Sequence, residues 1–331
     1  MIFTNKYQSV IKEARNLVQP VLDLSSEMMR EVALNSPAGL RGRITQTVER
    51  PGKRLRSILL FLLAKSKDNE INDLSRAAKA AASIEMLHLA SLVHDDIIDG
   101  SEFRRGLNSI HSSFGNKIAV LAGDYILAQS MIFVLEEKDH RILQALAYSA
   151  SSLAAGAILE IDLTGNMNIS FEEYMQIIEG KTASLLVTCA KCGAILANYD
   201  DKMVEDCGKL GLHFGIAFQI IDDILDYGIG AESLGKKKFE DLQNGLITLP
   251  LILYFQKNPK EEMEQLVKNA TDSNSAKLIV KKLKSADCFN EAKTIAQSHL
   301  SQATEILQKL PPSHVNNLLK NFFETMVERK N

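Results

Sequence analysis

Two acidic segments hold the residues of this sequence that are best suited to chemistry. Residues 95–99 read D-D-I-I-D and residues 222–226 read D-D-I-L-D, so one pattern occurs twice. In a helix, positions four apart share a face, and the first and last aspartates of each segment would repel each other. Near a helix C-terminus, the helix dipole adds a second penalty for anions. A bound cation would offset both penalties.

Carboxylates without histidine or cysteine favour a hard ion such as Mg²⁺, which keeps some water and completes its coordination with substrate phosphate. A solvated acidic helix end is the alternative interpretation, and the repetition of the pattern argues against it. The predicted metal-binding residues are Asp95, Asp96, Asp99, Asp222, Asp223 and Asp226.

Basic residues near the first acidic segment are candidates for binding phosphate. Arg104 and Arg105 follow that segment, and planar guanidinium groups suit phosphate better than ammonium groups do. The alternative is an exposed basic turn that pairs with Asp99 or Glu102. His88 lies two helical turns before the first aspartate, on the same face. A histidine in such a place is more often a buried core residue than a phosphate-binding one.

These motifs and their order resemble those of the trans-type polyprenyl diphosphate synthases, a family of enzymes that make linear isoprenoid diphosphates. The resemblance extends over residues 51–250. Besides the acidic segments it rests on P-G-K-R-L-R at 51–56, K-T at 181–182, F-Q at 218–219 and the segment 235–250. It implies the isoprenoid synthase fold, an all-α single large helical bundle around a central active-site cavity.

The resemblance also implies a reaction, the head-to-tail 1′-4 condensation of isopentenyl diphosphate with an allylic diphosphate. Three Mg²⁺ ions per active site would bridge the allylic diphosphate to Asp95, Asp99 and Asp222, with Asp226 acting through metal-bound water. The metal serves as Lewis acid and template. The departing diphosphate would take the proton, so no dedicated protein base is expected.

The resemblance assigns substrate-binding roles residue by residue. For isopentenyl diphosphate, the implied residues are Lys53, Arg56, His88 and Arg105. For the allylic substrate and the developing cation, they are Arg104, Lys181, Thr182, Gln219 and Lys236. Four of these, Arg104, Lys181, Thr182 and Gln219, form the predicted catalytic set.

Five positions depart from the family pattern, and two of them, Pro51 and Ser57, stand where the family usually has glycine and proline. Leu246 stands where the family usually has lysine, Phe239 stands where it usually has glycine, and Ala157 replaces a polar residue. The loss of one cation over the diphosphate is expected to slow ionisation, unless Lys237 or Lys238 reaches the site.

Product length is predicted from residues just before the first acidic segment. Ser91 and Ala90 lie about one turn before Asp95 and are small. In the family, bulky aromatic residues at these positions stop growth, so an open tunnel and a product longer than C20, in the C30–C50 range, are implied. Leu87, one turn deeper, could narrow that tunnel. The alternative is that the small residues only let helices pack.

The elements that must position these residues are predicted to be helices. Apolar residues repeat at intervals of three and four, and alternating strand patterns are scarce. Seven prolines and 18 glycines are few for 331 residues. The predicted helices span about 5–34, 52–66, 73–98, 117–136, 138–164, 170–196, 202–227, 246–257, 259–283, 286–309 and 312–329. No linker separates them, so one domain over residues 1–331 is expected, with a mobile loop over 228–245.

Composition excludes several classes of protein. Hydrophobic residues make up 46%, charged residues 24%, and the formal net charge is −3. Disordered, collagen-like and basic, nucleic-acid-binding chains are therefore excluded. The N-terminus lacks a secretory pattern, which predicts a cytoplasmic location. The uncharged stretch 142–159 approaches membrane-spanning length, but polar residues interrupt it, so a buried helix and at most peripheral membrane contact are expected. Cys189 and Cys192 are expected to be reduced, packed thiols.

Other functions stay open at this point. A short-chain synthase that makes C15 or C20 (farnesyl or geranylgeranyl) diphosphate shares these motifs, as does a weakly active subunit of a heteromeric synthase, which Leu246 keeps open. A terpene cyclase would lack the isopentenyl site formed by Lys53, Arg56 and His88. A helical scaffold would leave the aspartates unexplained. The expected assembly is a homodimer.

Overall fold

The structure is a computed structural model that describes residues 5–49, 52–68, 70–104, 106–135, 139–229, 239–270 and 272–327. The first helices are α1 (Asn5–Leu34), α2 (Ala38–Val48), α3 (Leu55–Ala64), α4 (Leu74–Ile98), α5 (Ile110–Phe114), α6 (Asn116–Leu135), α7 (His140–Leu163) and α8 (Phe171–Ile178). The others are α9 (Ser184–Leu196), α10 (Asp201–Asp226), α11 (Glu240–Gln243), α12 (Leu249–Lys257), α13 (Glu261–Lys268), α14 (Ser273–Ser285), α15 (Cys288–Leu307) and α16 (His314–Val327). A π-helical turn, Glu179–Ala183, joins α8 to α9. The predicted all-α class is confirmed.

The differences from the predicted helices have local causes. Helix α2 was not predicted, because Gly39 and Gly42 weaken its helical pattern. The antiparallel hairpin of β1 (Phe103–Arg104) and β2 (Leu107–Asn108) was also missed, since two residues per strand show no alternation. The predicted helix 259–283 is wrong as one element, because the structure divides it into α13 and α14.

Helix α3 is apolar on all sides and therefore lies in the middle of the core. Its residues from Ile58 to Leu63 have 0% exposure, as expected for a helix without a polar face. It packs against α1, α4, α9 and α16. Burial of each large aliphatic side chain contributes about 1.5–3 kcal/mol. This packing anchors the N-terminal end of α3, where Lys53 and Arg56 lie.

Helices α4 and α10 end in the two acidic segments. Asp73 and Asp200 cap their N-termini, and each carboxylate accepts a hydrogen bond from a backbone N–H three residues further on. Helix α4 ends at Ile98 with Asp99 as its C-cap, and α10 ends at Asp226. The acidic segments therefore lie at helix ends, as the sequence predicted.

Helices α6 and α7 carry an apolar face that the rest of the described chain leaves uncovered. Both are long and apolar enough to span a membrane, yet only 33% and 28% of their apolar windows are buried. The predicted buried helix over 142–159 is therefore wrong, because only one side of α7 is covered. The exposed residues, here called the α6–α7 apolar face, are Ile118, Leu121, Ile132, Leu135, Tyr148, Ile158 and Ile161.

Candidate active site

The first acidic segment contains one aspartate that is already neutralised by the protein. Asp96 is buried, and Arg104 donates to its Oδ1 from Nε at 2.7 Å and from Nη2 at 2.5 Å. Burial raises the pKa of Asp96, and Arg104 opposes that rise. Burial also raises the pKa of Asp95, and Lys181 opposes it. Asp95 is half-buried and Asp99 is exposed, so these two are the pair left for an external cation.

In the second acidic segment, the middle aspartate is again bonded to side chains of the protein. Asp223 is buried; its Oδ2 accepts a hydrogen bond from the Tyr174 hydroxyl at 2.6 Å, and its Oδ1 accepts one from the Gln219 amide at 2.7 Å. Burial raises the pKa of Asp223, and these two hydrogen bonds oppose the rise. Asp222 and Asp226 are half-buried and lie one turn apart on α10.

The middle aspartates of both segments have side-chain partners that sequence spacing did not predict. Asp96 and Asp223 were both predicted to bind metal, but their carboxylates already accept hydrogen bonds from side chains of the protein. The contacts do not support a direct metal-binding role for either residue. Their partners Arg104 and Tyr174 were not predictable as partners from helical spacing alone.

Asp241 is an acidic residue to which the sequence analysis gave no role. Burial, together with the nearby carboxylates of Asp226, Glu160 and Asp222, raises its pKa to about 7. Asp241 lies within the segment 235–250 that carries the family resemblance, so that motif was the signal for it. Negative charge from α7, α10 and α11 thus converges at one place.

The donors at this place fit a hard divalent cation such as Mg²⁺. They are carboxylate oxygens, and the pKa of Asp241 is raised by burial and then by neighbouring carboxylates, whose negative charge a cation would relieve. Within the described residues, no group of three or more acidic, histidine or cysteine side chains is arranged to hold an ion alone.

Lys181 lies between the two acidic segments. It donates from Nζ to Oε1 of Glu160, which projects from α7. Burial lowers the pKa of Lys181, but Glu160, Asp95 and Asp99 outweigh burial, so the net shift is upward. Lys181 belongs to the π-helical turn, and such turns recur at functional sites. The turn lies directly against α7, because a Cβ on Gly156 would come within 2.8 Å of the Lys181 backbone nitrogen.

A cavity of about 160 Å³ joins the π-helical turn to the second acidic segment. Its polar lining residues are Glu160, Tyr174, Lys181, Thr182, Gln219, Asp223, Asp241 and Thr248, and its apolar ones include Ile177, Ile178, Leu246 and Ile247. The Thr182 hydroxyl donates to Oε1 of Gln219 at 2.7 Å. Leu246 thus places an apolar side chain in a cavity whose described lining contains one cation, Lys181, and three acidic residues.

Three of the four residues predicted for isopentenyl diphosphate lie on α3, on α4 or just before α3. Lys53 precedes α3 and is exposed, and Arg56 is half-buried in its first turn. Between them Arg54 adopts the left-handed conformation at φ 54°. His88 is half-buried on α4. The described lining of the cavity that holds Lys181 includes neither Lys53 nor Arg56.

Two of the predicted site residues lie outside the described residues. These are Arg105 and Lys236. Lys237, Lys238 and the rest of segment 230–238, which is part of the predicted mobile loop over 228–245, lie there as well. Arg104 forms its ion pair with Asp96. The exposed-turn alternative, which named Asp99 or Glu102 as the partner, is therefore wrong about the partner of Arg104.

The predicted length-determining residues are packed in different ways. Leu87 and Ala90 are buried, and Ala90 belongs to the core cluster that α4 forms with α6. Ser91 is half-buried and donates its hydroxyl to the His88 carbonyl at 2.8 Å. A second cavity beside Arg104 is lined on α4 by Leu89 and by residues one turn later.

An all-helical bundle with two aspartate-bearing helix ends near a lysine-lined cavity defines the class of prenyltransferases with the isoprenoid synthase fold. Residues 38–286 match the family model described as polyprenyl synthetase. The chain belongs to this polyprenyl synthetase family.

Two similar proteins are named for long prenyl products. The chain is 33% identical over 312 residues to heptaprenyl diphosphate synthase component 2 of Bacillus subtilis, covering 93% of this chain and 86% of that protein. The crystal structure of a decaprenyl diphosphate synthase from Rhodobacter capsulatus matches with a TM-score of 0.88 and 25% identity, over 97% of this chain and 99% of the other.

A third similar structure contains ligands. The polyprenyl synthase of Caulobacter crescentus, complexed with calcium and isoprenyl diphosphate, matches with a TM-score of 0.85 and 26% identity, over 100% of this chain and 99% of the other. A member of the fold thus binds a divalent cation together with a prenyl diphosphate.

Proposed function

We propose that this protein is a trans-prenyltransferase that condenses isopentenyl diphosphate with an allylic diphosphate, head to tail, into a linear polyprenyl diphosphate longer than C20. The observation that carries the proposal is the placement of Lys181 beside Asp95 and Glu160, in the π-helical turn that also lines the cavity of the second acidic segment. This arrangement suits a ligand that is anionic at one end and apolar at the other.

The allylic diphosphate would be held between the two helix ends. Asp95, Asp99, Asp222 and Asp226 would hold three Mg²⁺ ions. When bound, these ions would supply Lewis-acid activation of the leaving diphosphate. Lys181 would exchange its bond to Glu160 for a bond to phosphate. Asp241 would add its negative charge to the ion-binding region.

The two middle aspartates would have a different role. Asp96 would hold Arg104 toward the leaving diphosphate, because two nitrogens of the guanidinium already bond to it. Asp223 would hold Gln219, and through it Thr182, at the cavity. Neither needs to touch a metal for these roles.

Isopentenyl diphosphate would bind to fixed cations without metal. Lys53, Arg56, His88 and Arg105 are the residues proposed for this, with Lys236 on the allylic side. Arginine suits this task because its planar donors match phosphate oxygens. The apolar cavity wall formed by Ile177, Ile178 and Leu246 would keep water from the allylic cation.

The product would lie in the C30–C50 range, with Leu87, Ala90 and Ser91 at the start of the tunnel. The similar proteins described above support this range, since their names specify heptaprenyl and decaprenyl products. The small side chains on α4 agree with it.

The chain would act as one catalytic domain over residues 1–331 in a homodimer. The α6–α7 apolar face supports dimer formation, because exposed apolar patches of this kind mark protein interfaces. A cytoplasmic location with at most peripheral membrane contact, and no nucleic-acid partner, completes the proposal.

A second candidate is the catalytic or weakly active subunit of a heteromeric synthase. Two observations favour it: one relative is named a synthase component, and Leu246 leaves the described cavity lining without a second cation. In that case the α6–α7 apolar face would receive a different chain.

The test is the mass of the product made by the purified protein with Mg²⁺, isopentenyl diphosphate and geranyl, farnesyl or geranylgeranyl diphosphate as primer. We expect a prenyl diphosphate of C30 or longer. Only C15 or C20 products would contradict the proposed length. No product with any primer would contradict the homomeric enzyme and leave the heteromeric candidate.

A further inference from the structure

A chain of four hydrogen-bonding side chains crosses from α8 to the cavity. The Tyr174 hydroxyl donates to Asp223 at 2.6 Å, the Gln219 amide donates to the other oxygen of Asp223 at 2.7 Å, and the Thr182 hydroxyl donates to Gln219 at 2.7 Å. All four residues line the same cavity. They come from α8, the π-helical turn and α10, so this arrangement depends on the tertiary fold.

The direction of every bond in this chain follows from the carboxylate. Both oxygens of Asp223 act as acceptors, one for the Tyr174 hydroxyl and one for the side-chain amide of helix α10, so Gln219 turns its NH₂ group to Asp223. Its carbonyl oxygen then faces Thr182, and Thr182 must donate its proton to it. The lone pairs of the Thr182 oxygen are thereby left for the cavity rather than its hydrogen.

We propose that Asp223 is a positioning residue that sets the proton direction of this chain, so that Thr182 presents lone pairs, not a proton, to the allylic cation. The inference rests on the proposed function, in which a carbocation develops beside Thr182. A dipole oriented before the reaction stabilises such a charge without reorganisation. A reversed hydroxyl would instead point a positive hydrogen at the cation.

The substitution Asp223→Asn tests the direction while preserving the shape. Tyr174 has a buried hydroxyl that still needs an acceptor, so the new amide turns its oxygen to Tyr174 and its nitrogen to Gln219. Gln219 must then rotate its own amide. Thr182 receives a hydrogen bond in place of donating one, and its proton turns toward the cavity.

We expect Asp223→Asn to lower kcat roughly 10- to 100-fold, since one misdirected dipole at a transition-state charge has effects of up to about 10²–10³. KM for both substrates and the Mg²⁺ concentration for half-maximal rate should change less than about twofold, because the residue touches neither phosphate nor metal. Asp222→Asn is the matched comparison, and it should raise the Mg²⁺ requirement.

The decisive measurement is a double-mutant cycle with Thr182→Val, which removes the hydroxyl at nearly constant shape. If Asp223 acts through Thr182, adding Asp223→Asn to Thr182→Val lowers kcat no further. The inference would be overturned if the loss of kcat in the double variant equalled the product of the losses in the two single variants. It would also be overturned by an unchanged kcat in Asp223→Asn, or by a raised Mg²⁺ requirement in that variant. Thermal unfolding of each variant identifies any loss due to misfolding.

A binding experiment judges the inference even if wild type makes no product. Calorimetry would compare 3-azageranyl diphosphate, with a protonated amine at the cationic position, with the unreactive geranyl thiolodiphosphate. Wild type should prefer the amine, and Asp223→Asn should lose at least about tenfold of that preference. Equal preference in both proteins would refute the role of Asp223 without bearing on the overall reaction.

Discussion

At the scale of single residues, the site stores negative charge that the metal-free protein must tolerate. Asp226, Glu160 and Asp222 lie close enough to Asp241 to add to the effect of burial and raise the cost of ionising it. Lys181 offsets part of that charge. Substrate phosphates and cations would therefore enter as a unit, because each relieves the charge of the other.

This charge has a consequence for stability that depends on pH. Burial and the neighbouring carboxylates raise the pKa of Asp241 from 3.8 to about 7, so the folded state binds this proton more tightly than the unfolded state does. The resulting stabilisation is fully present below about pH 4 and is lost as pH rises through about 7. In EDTA, the free energy of unfolding of wild type should fall, relative to that of Asp241→Asn, by on the order of 1–4 kcal/mol between about pH 5 and about pH 8.

Urea unfolding of both proteins at the two pH values measures this difference. Asp68→Asn is the control, because Asp68 is exposed in a turn, and it should follow the pH profile of wild type. Parallel profiles for Asp241→Asn and wild type would show that Asp241 is not protonated in the metal-free fold.

Spacing in the sequence pointed to the six aspartates, and the family resemblance pointed to Lys181, Thr182 and Gln219. Of these residues, Lys181, Thr182, Gln219 and Asp223 line one cavity in the structure. The partners of Asp96 and Asp223 were not predicted, because Arg104 belongs to an unpredicted hairpin and Tyr174 lies 49 positions from Asp223. Glu160 and Asp241 were likewise missed as members of the site, since their charges meet only through tertiary packing.

At the scale of elements, the capping box of α8 shows what the sequence could predict. The pattern of Ser170 with Glu173 predicted a helix start, and both reciprocal hydrogen bonds are present. The π-helical turn after α8 was not predicted, because an i→i+5 turn leaves no distinct pattern of apolar residues. Its close contact with α7 is a feature of the tertiary fold.

That contact gives a prediction for Gly156→Ala. The added Cβ would lie 2.8 Å from the Lys181 backbone nitrogen and 3.1 Å from Gly180, and backbone cannot rotate away as a side chain can. The turn must shift, and with it Lys181 and Thr182. We expect kcat to fall at least about 10-fold, since misplacement by about 1 Å can cost about 10²-fold.

Steady-state kinetics of Gly156→Ala beside Gly39→Ala would measure the effect. Gly39 lies in α2, and a Cβ added to it would meet nothing within 4 Å, so its substitution should leave kcat unchanged. A wild-type kcat in Gly156→Ala would mean that the turn tolerates displacement and that its position is not critical.

At the scale of the whole molecule, α4, α6 and α7 connect the site to the surface. Helix α6 packs against α4, and the imidazole of His94, the residue before the first acidic segment, lies over Gly123, where an added Cβ would come 2.1 Å from Nε2. The opposite side of α6 belongs to the α6–α7 apolar face. A partner bound there would therefore rest on a helix that directly supports the first acidic segment.

The assembly can be tested by a substitution on that face. Leu121 is 61% exposed on α6, and a charge placed there would be buried without a partner in a dimer, which costs several kcal/mol. We expect wild type to be a dimer and Leu121→Glu to be a monomer by light scattering, with unchanged unfolding of the monomer. Leu278→Glu is the matched control, because Leu278 is 46% exposed on α14, and it should remain dimeric. A monomeric wild type, or a dimeric Leu121→Glu, would assign the α6–α7 apolar face to something other than a second copy of this chain.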